Sequence, residues 1–253
     1  MRKRTIIAVA CLVLSLAGCA TTNRHRTPEV PPMHTVNEFS DDEKVKEVAD
    51  DPWERFNLTM YRFNYNFDKY VFLPAVKGYE FVTPDLIQTG ISNFFDNVYE
   101  FRTLYNSLFQ LKGGKALTTF GRFVVNSTIG IGGLFDVATP LGMKRQYEDF
   151  GQTLGYWGVG QGHYLVLPVL GPNTVRSAAG YGVDGGIRYA VMYSVDPFEN
   201  SAEKTAIEEG IYAVEVTNLR HQEKFRYYES GYPFEYFIVR FLYCESRELM
   251  IKK

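Results

Sequence analysis

The sequence predicts an all-α domain behind an export signal and a tether, and three observations carry that expectation. Apolar residues recur every three or four positions through most of residues 51–248, which is the spacing of one face of a helix. Helix-start signals ending in proline recur at Asp51-Pro52 and Thr83-Pro84. A ladder of ten-residue alternating strands, the pattern of an outer-membrane barrel, does not occur.

The first element is a signal peptide. Arg2-Lys3-Arg4 supplies the positive start, Ile6 to Leu14 the apolar core, and Leu16-Ala17-Gly18-Cys19 the small residues before a cysteine. This is the lipoprotein form, in which residues 1–18 are removed and Cys19 carries the lipid. An uncleaved anchor fits less well, because the run falls short of the ~20 apolar residues a spanning helix needs. Ala20, rather than aspartate, follows the lipidated residue and points to the outer membrane. Of the three cysteines, Cys11 leaves with the signal and Cys19 is acylated, so Cys244 remains without an internal disulfide partner. Its aromatic, helical surroundings suggest a buried inert thiol.

Residues 19–50 read as the lipidated N-terminus and a flexible tether, polar and punctuated by Pro28, Pro31 and Pro32. Such a chain reaches roughly 30 Å root-mean-square from its anchor. Residues 51–253 form the body. Loss of Arg2, Lys3 and Arg4 leaves 24 basic against 29 acidic residues, and this acidic balance without a basic run excludes a nucleic-acid footprint. The 18 Tyr, 19 Phe and 2 Trp suit either a filled core or a membrane interface, and composition alone leaves both open.

Within the body, Asp51-Pro52 opens a helix whose apolar stripe is Trp53, Phe56, Met60, Phe63, Phe67 and Tyr70. Asn57, Asn64 and Asn66 lie off that stripe, and Pro74 is expected to end the element. A second helix follows Thr83-Pro84 and runs to Gly113-Gly114. A third, about 115–126, shows Leu117, Phe120, Phe123 and Val124 on its face. Gly130-Ile131-Gly132-Gly133 makes a loop too apolar for an ordinary solvated turn. Glycines from Gly151 to Gly162 allow close backbone approach, and Tyr164 to Leu170 reads as a short strand or extended segment broken by Pro168. Two longer helices close the body: one capped by Asn200 with Glu203 and running towards Tyr228, one following Pro233.

Chemistry is sparse. Two of the four histidines, His25 and His34, fall in the tether, which leaves His163 and His221. No pair has metal-ligand spacing, and neither a G-x-S-x-G elbow nor a Walker-type loop occurs. Gly180, Gly182 and Gly185 match G-x-G-x-x-G only formally, for want of a preceding buried strand. The expectation is no catalytic residue, no metal and no cofactor.

Four ordered blocks nevertheless resemble a known family. Asp51-Pro52-Trp53-Glu54-Arg55-Phe56-Asn57 with Met60-Tyr61 and Phe63-Asn64 is the first, and Gly90-Ile91-Ser92-Asn93-Phe94 the second. Arg122-Phe123, Asn126, Gly130 to Gly133, Asp136 and Ala138 make the third. Phe150-Gly151-Gln152-Thr153-Leu154 through Gly158-Val159-Gly160, Leu167-Pro168, Gly171-Pro172 and Arg176 make the fourth. Together they are similar to the VacJ/MlaA lipoproteins. Phe101, where that family usually has proline, and Ser177, where aspartate is common, depart from the pattern.

The resemblance implies a single ring-like helical domain with an amphipathic central channel, held on the periplasmic side of the outer membrane, in its inner leaflet. It implies removal of mislocalised phospholipid from the outer leaflet and delivery to a periplasmic phospholipid carrier, with membrane phospholipids and a trimeric outer-membrane porin as partners. On that basis Ile129, Gly130, Ile131, Gly132, Gly133 and Leu134 are the expected gate loop, to be stiffened by Gly132→Pro. Phe123, Tyr156 and Trp157 are the expected channel lining, and Phe63, Asn64 and Phe67 the residues that set position in the leaflet. The competing expectation is a scaffolding lipoprotein bound to porins without lipid transfer.

Overall fold

A computed structural model describes residues 51–195, 203–229 and 231–253; the lipidation site Cys19 and the expected helix cap Asn200 lie outside them. The chain is predominantly helical. Helix α1 (Glu54–Phe67) passes through a π-helical turn at Asp68–Phe72 into α2 (Leu73–Val82). Pro74 therefore does not end the element. It sits in the first turn of α2, where the wider turn before it leaves no bond for its missing N–H to break. Asp51 is not a helix cap either: Trp53 holds that place, and the Asp51 carboxylate accepts from Trp53 N at 3.1 Å and Asn57 Nδ2 at 3.0 Å.

Helix α3 (Asp85–Phe109) starts after Pro84 with an acid in its first turn, as the start signal predicts. A three-residue connection, in which Leu111 takes a positive φ of 55°, returns the chain into α4 (Gly113–Thr128). The two helices pack as a hairpin. After an irregular segment comes α5 (Phe150–Tyr156), capped by the Asp149 side chain, which accepts from Gln152 N at 2.9 Å. Strands β1 (Tyr164–Leu167) and β2 (Gly171–Thr174) form an antiparallel hairpin with Leu167 opposite Gly171. Helices α6 (Val175–Val195), α7 (Lys204–Gln222) and α8 (Glu235–Lys252) complete the body.

Three long helices thus follow the hairpin, where periodicity predicted two. Helix α6 is hidden because Gly180, Gly182, Gly185 and Gly186 each lower helix propensity by about 1 kcal/mol. Packing explains Gly180: a Cβ there would lie 2.2 Å from Gly151 N, so α5 and α6 touch backbone to backbone. Helix α7 stops at Gln222 rather than Tyr228, because Glu223 turns to extended backbone.

The faces of the helices are reversed from those of a water-soluble bundle. Among the described residues eight hydrophobic side chains are buried against 26 polar or charged ones. Helix α1 buries Asn57, Tyr61 and Asn64, while Trp53, Phe56 and Phe63 of the predicted stripe stand exposed. Helix α4 buries Ala116, Thr119, Arg122 and Asn126 and shows Leu117, Phe120, Phe123 and Val124. The predicted stripes are real, but they face outward. An apolar core persists in one place, where Tyr61, Tyr164, Val166 and Tyr236 meet.

Candidate functional site

Two asparagines seven residues apart on α1 build the best-defined part of the site. Asn57 donates from Nδ2 to Tyr164 O at 3.0 Å and accepts from Val166 N at 2.8 Å. Asn64 repeats this one step along: Nδ2 to Leu167 O at 2.9 Å, and Oδ1 from Val169 N at 2.7 Å. Each side-chain amide stands in for the backbone of a neighbouring strand, satisfying the outer edge of β1 and the turn beyond it. That turn, Pro168-Val169-Leu170, holds Val169 at φ +69°. A β-branched residue there costs about 1–3 kcal/mol, which its surroundings must offset.

The turn walls a cavity of about 530 Å³ between α1, the π turn, the hairpin and α8. Phe67, Phe72, Val169, Leu170, Pro172 and Leu242 make its apolar walls, and Asn64, Asp68, Arg220, Glu223 and Ser246 are its polar members. The Arg220 fork is spent internally. Its Nη2 donates to Asp68 Oδ2 at 2.7 Å and Phe225 O at 3.1 Å, and its Nη1 to Glu223 O at 2.9 Å. The pair ties α7 to the π turn and leaves the cavity essentially apolar.

A second feature lies between α3 and α4. Arg122 donates to Glu100 Oε1 at 2.6 Å, Met143 O at 2.6 Å and Thr139 Oγ1 at 2.9 Å, with Asp136 at 3.3 Å. Asn126 accepts from Ala138 N at 2.9 Å. This seam holds the underside of the glycine loop, whose outer side chains are free: Ile129 is 65% and Ile131 64% exposed. Gly130 and Gly133 are fixed by close approach, a Cβ at the first falling 2.2 Å from Phe135 O and at the second 2.8 Å from Asn97. Asn93 Nδ2 donates to Leu134 O at 3.1 Å. Gly132 has φ +68° and donates its N–H to Ser127 O at 3.0 Å. Proline at position 132 would therefore break the loop rather than stiffen it.

The other expected residues separate. Asn64 and Phe67 border the cavity, and Phe63 stacks on Phe67 with centroids 5.8 Å apart while standing 44% exposed. Tyr156 and Trp157 end α5; Trp157 packs on Phe150 at 5.8 Å and donates Nε1 to Phe109 O at 3.1 Å. Phe123 stands instead with Phe120 on the outward face of α4. Sequence reasoning missed Asp68, Arg220 and the Val169 turn. The heptad repeat of Asn57 and Asn64 was the one available signal for the turn, and none existed for the ion pair.

Electrostatics agree with a structural, non-reactive interior. Burial pushes the half-buried Cys244 thiol up to about 11. Burial also opposes ionisation of Asp149, but the Arg247 fork at 2.7 Å and the Gln152 N–H win and hold its carboxyl down at about 2. His163 meets the edge of the Trp53 ring at 5.3 Å, and His221 Nδ1 lies 2.9 Å from Glu80. Among the described residues no group of His, Cys, Asp and Glu is placed to hold a metal ion, and no helix is long and apolar enough to cross a membrane.

Helices that hide polar side chains, show aromatic ones and enclose an apolar cavity define a protein built for apolar surroundings. Comparison with known proteins gives the class a family. The MlaA lipoprotein pattern matches residues 49–250, and the chain belongs to that family. The intermembrane phospholipid transport system lipoprotein MlaA of Haemophilus influenzae is 33% identical over 192 residues, 75% of this chain and 70% of that protein. Its Escherichia coli namesake is 38% identical over 139 residues, 53% of this chain and 55% of that one. An uncharacterized protein of Rickettsia prowazekii is 37% identical over 166 residues, 65% of this chain. The chain spans 66% of that relative's length and 50% of a Rickettsia typhi counterpart's. A solved structure from work on the structural basis for maintenance of bacterial outer membrane lipid asymmetry aligns with TM-score 0.58 and 30% identity, covering 80% of this chain and 100% of that one.

Proposed function

We propose that this chain is an outer-membrane lipoprotein that withdraws mislocalised phospholipid from the outer leaflet and passes it to a periplasmic carrier, preserving lipid asymmetry. The observation that carries the reading is the reversal of the helices: among the described residues, 26 polar side chains lie inside and many aromatic and aliphatic ones outside. In water each exposed Phe or Leu forgoes about 1.5–3 kcal/mol of burial, and in acyl chains it recovers it. The Haemophilus and Escherichia relatives bear the name of phospholipid transport lipoproteins, which supports the same role here.

In this reading Cys19 anchors the chain, residues 51–253 lie as a ring in the inner leaflet, and a porin trimer holds them in place. The cavity takes an acyl chain. Phe63 and Phe67 set depth, Tyr156 and Trp157 offer apolar lining at the end of α5, Phe123 meets acyl chains on the outward face of α4, and Ile129, Ile131 and Leu134 crown the loop that admits lipid. In this reading the partners supply direction, and the chain itself is a lipid-handling rather than a catalytic component.

The test is the phospholipid content of the outer leaflet in cells with and without the gene. Deletion should raise it, the wild-type gene should reverse the rise, and Cys19→Ala should not. Unchanged lipid with intact porin association would replace transport by scaffolding.

A further inference from the structure

The asparagine ladder has one rung that does more than close a strand. Asn57 bonds to Tyr164 and Val166 within β1, residues in ordinary extended backbone. Asn64 bonds to Leu167 and Val169, and Val169 is held in the left-handed region that β-branched residues avoid. Val169 and Leu170 are both 43–48% exposed and both line the cavity, as does Asn64 itself, which is 3% exposed. The strained turn has little burial of its own to hold it. The Leu167–Gly171 strand pair closes its ends, and at its tip the short bond from Val169 N to Asn64 Oδ1, within the cavity wall, holds the strained residue.

We infer that Asn64 is a positioning residue for lipid: it clamps the Val169-Leu170 turn so that the cavity stays shaped for an acyl chain. This rests on the transport reading above. It assigns Asn64 a task distinct from Phe63 and Phe67, whose rings face outward or into the cavity and make no bond to the turn. Without the clamp, Val169 relaxes to a negative φ, the turn swings, and Leu170 no longer walls the cavity. Glycine at position 169 tolerates φ +69° without help, so it should make the clamp partly dispensable.

The experiment uses the full lipidated chain with Cys244→Ser and a nitroxide on Leu170→Cys for mobility, and measures outer-leaflet phospholipid in matching unlabelled strains that keep Leu170. The label should be restrained in the parent and mobile in Asn64→Ala, with lipid rising at least halfway to the deletion strain at unchanged protein level. Adding Val169→Gly to Asn64→Ala should restore part of both. Asn57→Ala, which loses the same kind of rung away from the turn, should lower thermal stability but leave the label restrained and lipid low. A mobile label with normal lipid would overturn the proposal, as would an equal lipid effect from Asn57→Ala, which would make the role merely structural. A deletion strain with normal lipid would instead overturn the transport reading on which the proposal stands.

Discussion

The region around α1, the hairpin and α8 and the region around α3 and α4 solve the same packing problem with opposite materials. The first collects rings: Tyr61 lies edge-on to Tyr227, Tyr228 and Tyr236, and Tyr164 joins them. The Tyr61 hydroxyl finds a partner in the same cluster, donating to Glu235 Oε1 at 2.7 Å. The second collects amides and charges: α3 buries Asn97, Glu100, Thr103 and Asn106, α4 buries Arg122 and Asn126, and Phe94, Phe101, Phe109, Phe120 and Phe123 stand exposed while Phe95 is buried. In an aqueous protein the second arrangement would waste its apolar surface. Against lipid it would be the stable one, because charged groups pair inward, as where Arg122 meets Glu100 and Asp136, while the exposed rings would meet acyl chains. The difference teaches that helical spacing finds a stripe but does not say which side of it is inside.

The largest effect expected from breaking this contrast is at Arg122. Arg122→Met leaves Glu100 and Asp136 facing each other without a cation, at a cost of about 3–5 kcal/mol. Thermal unfolding in detergent should drop by roughly 10 °C or more, whereas Phe120→Ser on the outer face of α4 should cost no more than the ~1.5–3 kcal/mol of one ring's apolar contact. If both variants behaved alike, the seam would not be the interior of that region.

The joint between the regions is sensitive to acid. Asp149 on α5's cap is bound by Arg247 of α8, and its carboxyl is depressed to about 2 in the fold. A depressed acid stabilises above its unfolded value, near ~3.9, and that contribution fades as pH falls towards the folded one. Stability should therefore decline by about 2 kcal/mol between pH 4 and pH 2, and Asp149→Asn should remove most of that slope. An unchanged slope in the variant would place the acid sensitivity elsewhere.

The smallest effect is expected in the aromatic cluster. Tyr61→Phe keeps the ring contacts and loses one hydrogen bond, while Glu235 Oε1 retains Tyr228 N at 2.6 Å. The cost should be about 1 kcal/mol by chemical unfolding. A loss as large as that of Arg122→Met would mean that this cluster, too, depends on its polar bonds.

Much of the architecture was legible before any coordinates. Thr83-Pro84 marks the start of α3, the apolar glycine loop lies where Gly130 to Gly133 place it, and the chain is helical throughout most of its length. Pro74 misled because a π turn is invisible to a 3.6-residue period. Helix α6 was hidden by four glycines, of which Gly180 is required by its contact with α5. Asn57 and Asn64 were visible as residues off the stripe, yet their role depends on a strand about a hundred residues away, and local pattern carries no such information. The ion pair of Asp68 and Arg220 is farther still, its members 152 positions apart.

The most direct test of the reversed fold is depth. Nitroxides at Leu117, Phe120 and Ile131, introduced singly as cysteines in the lipidated Cys244→Ser chain in phospholipid vesicles, report collisions with oxygen in acyl chains or with a water-soluble nickel chelate. The account predicts oxygen access and chelate protection at all three, with chelate access at a control position such as Glu229. Chelate access at Leu117, Phe120 and Ile131 would put the outward rings in water and contradict it.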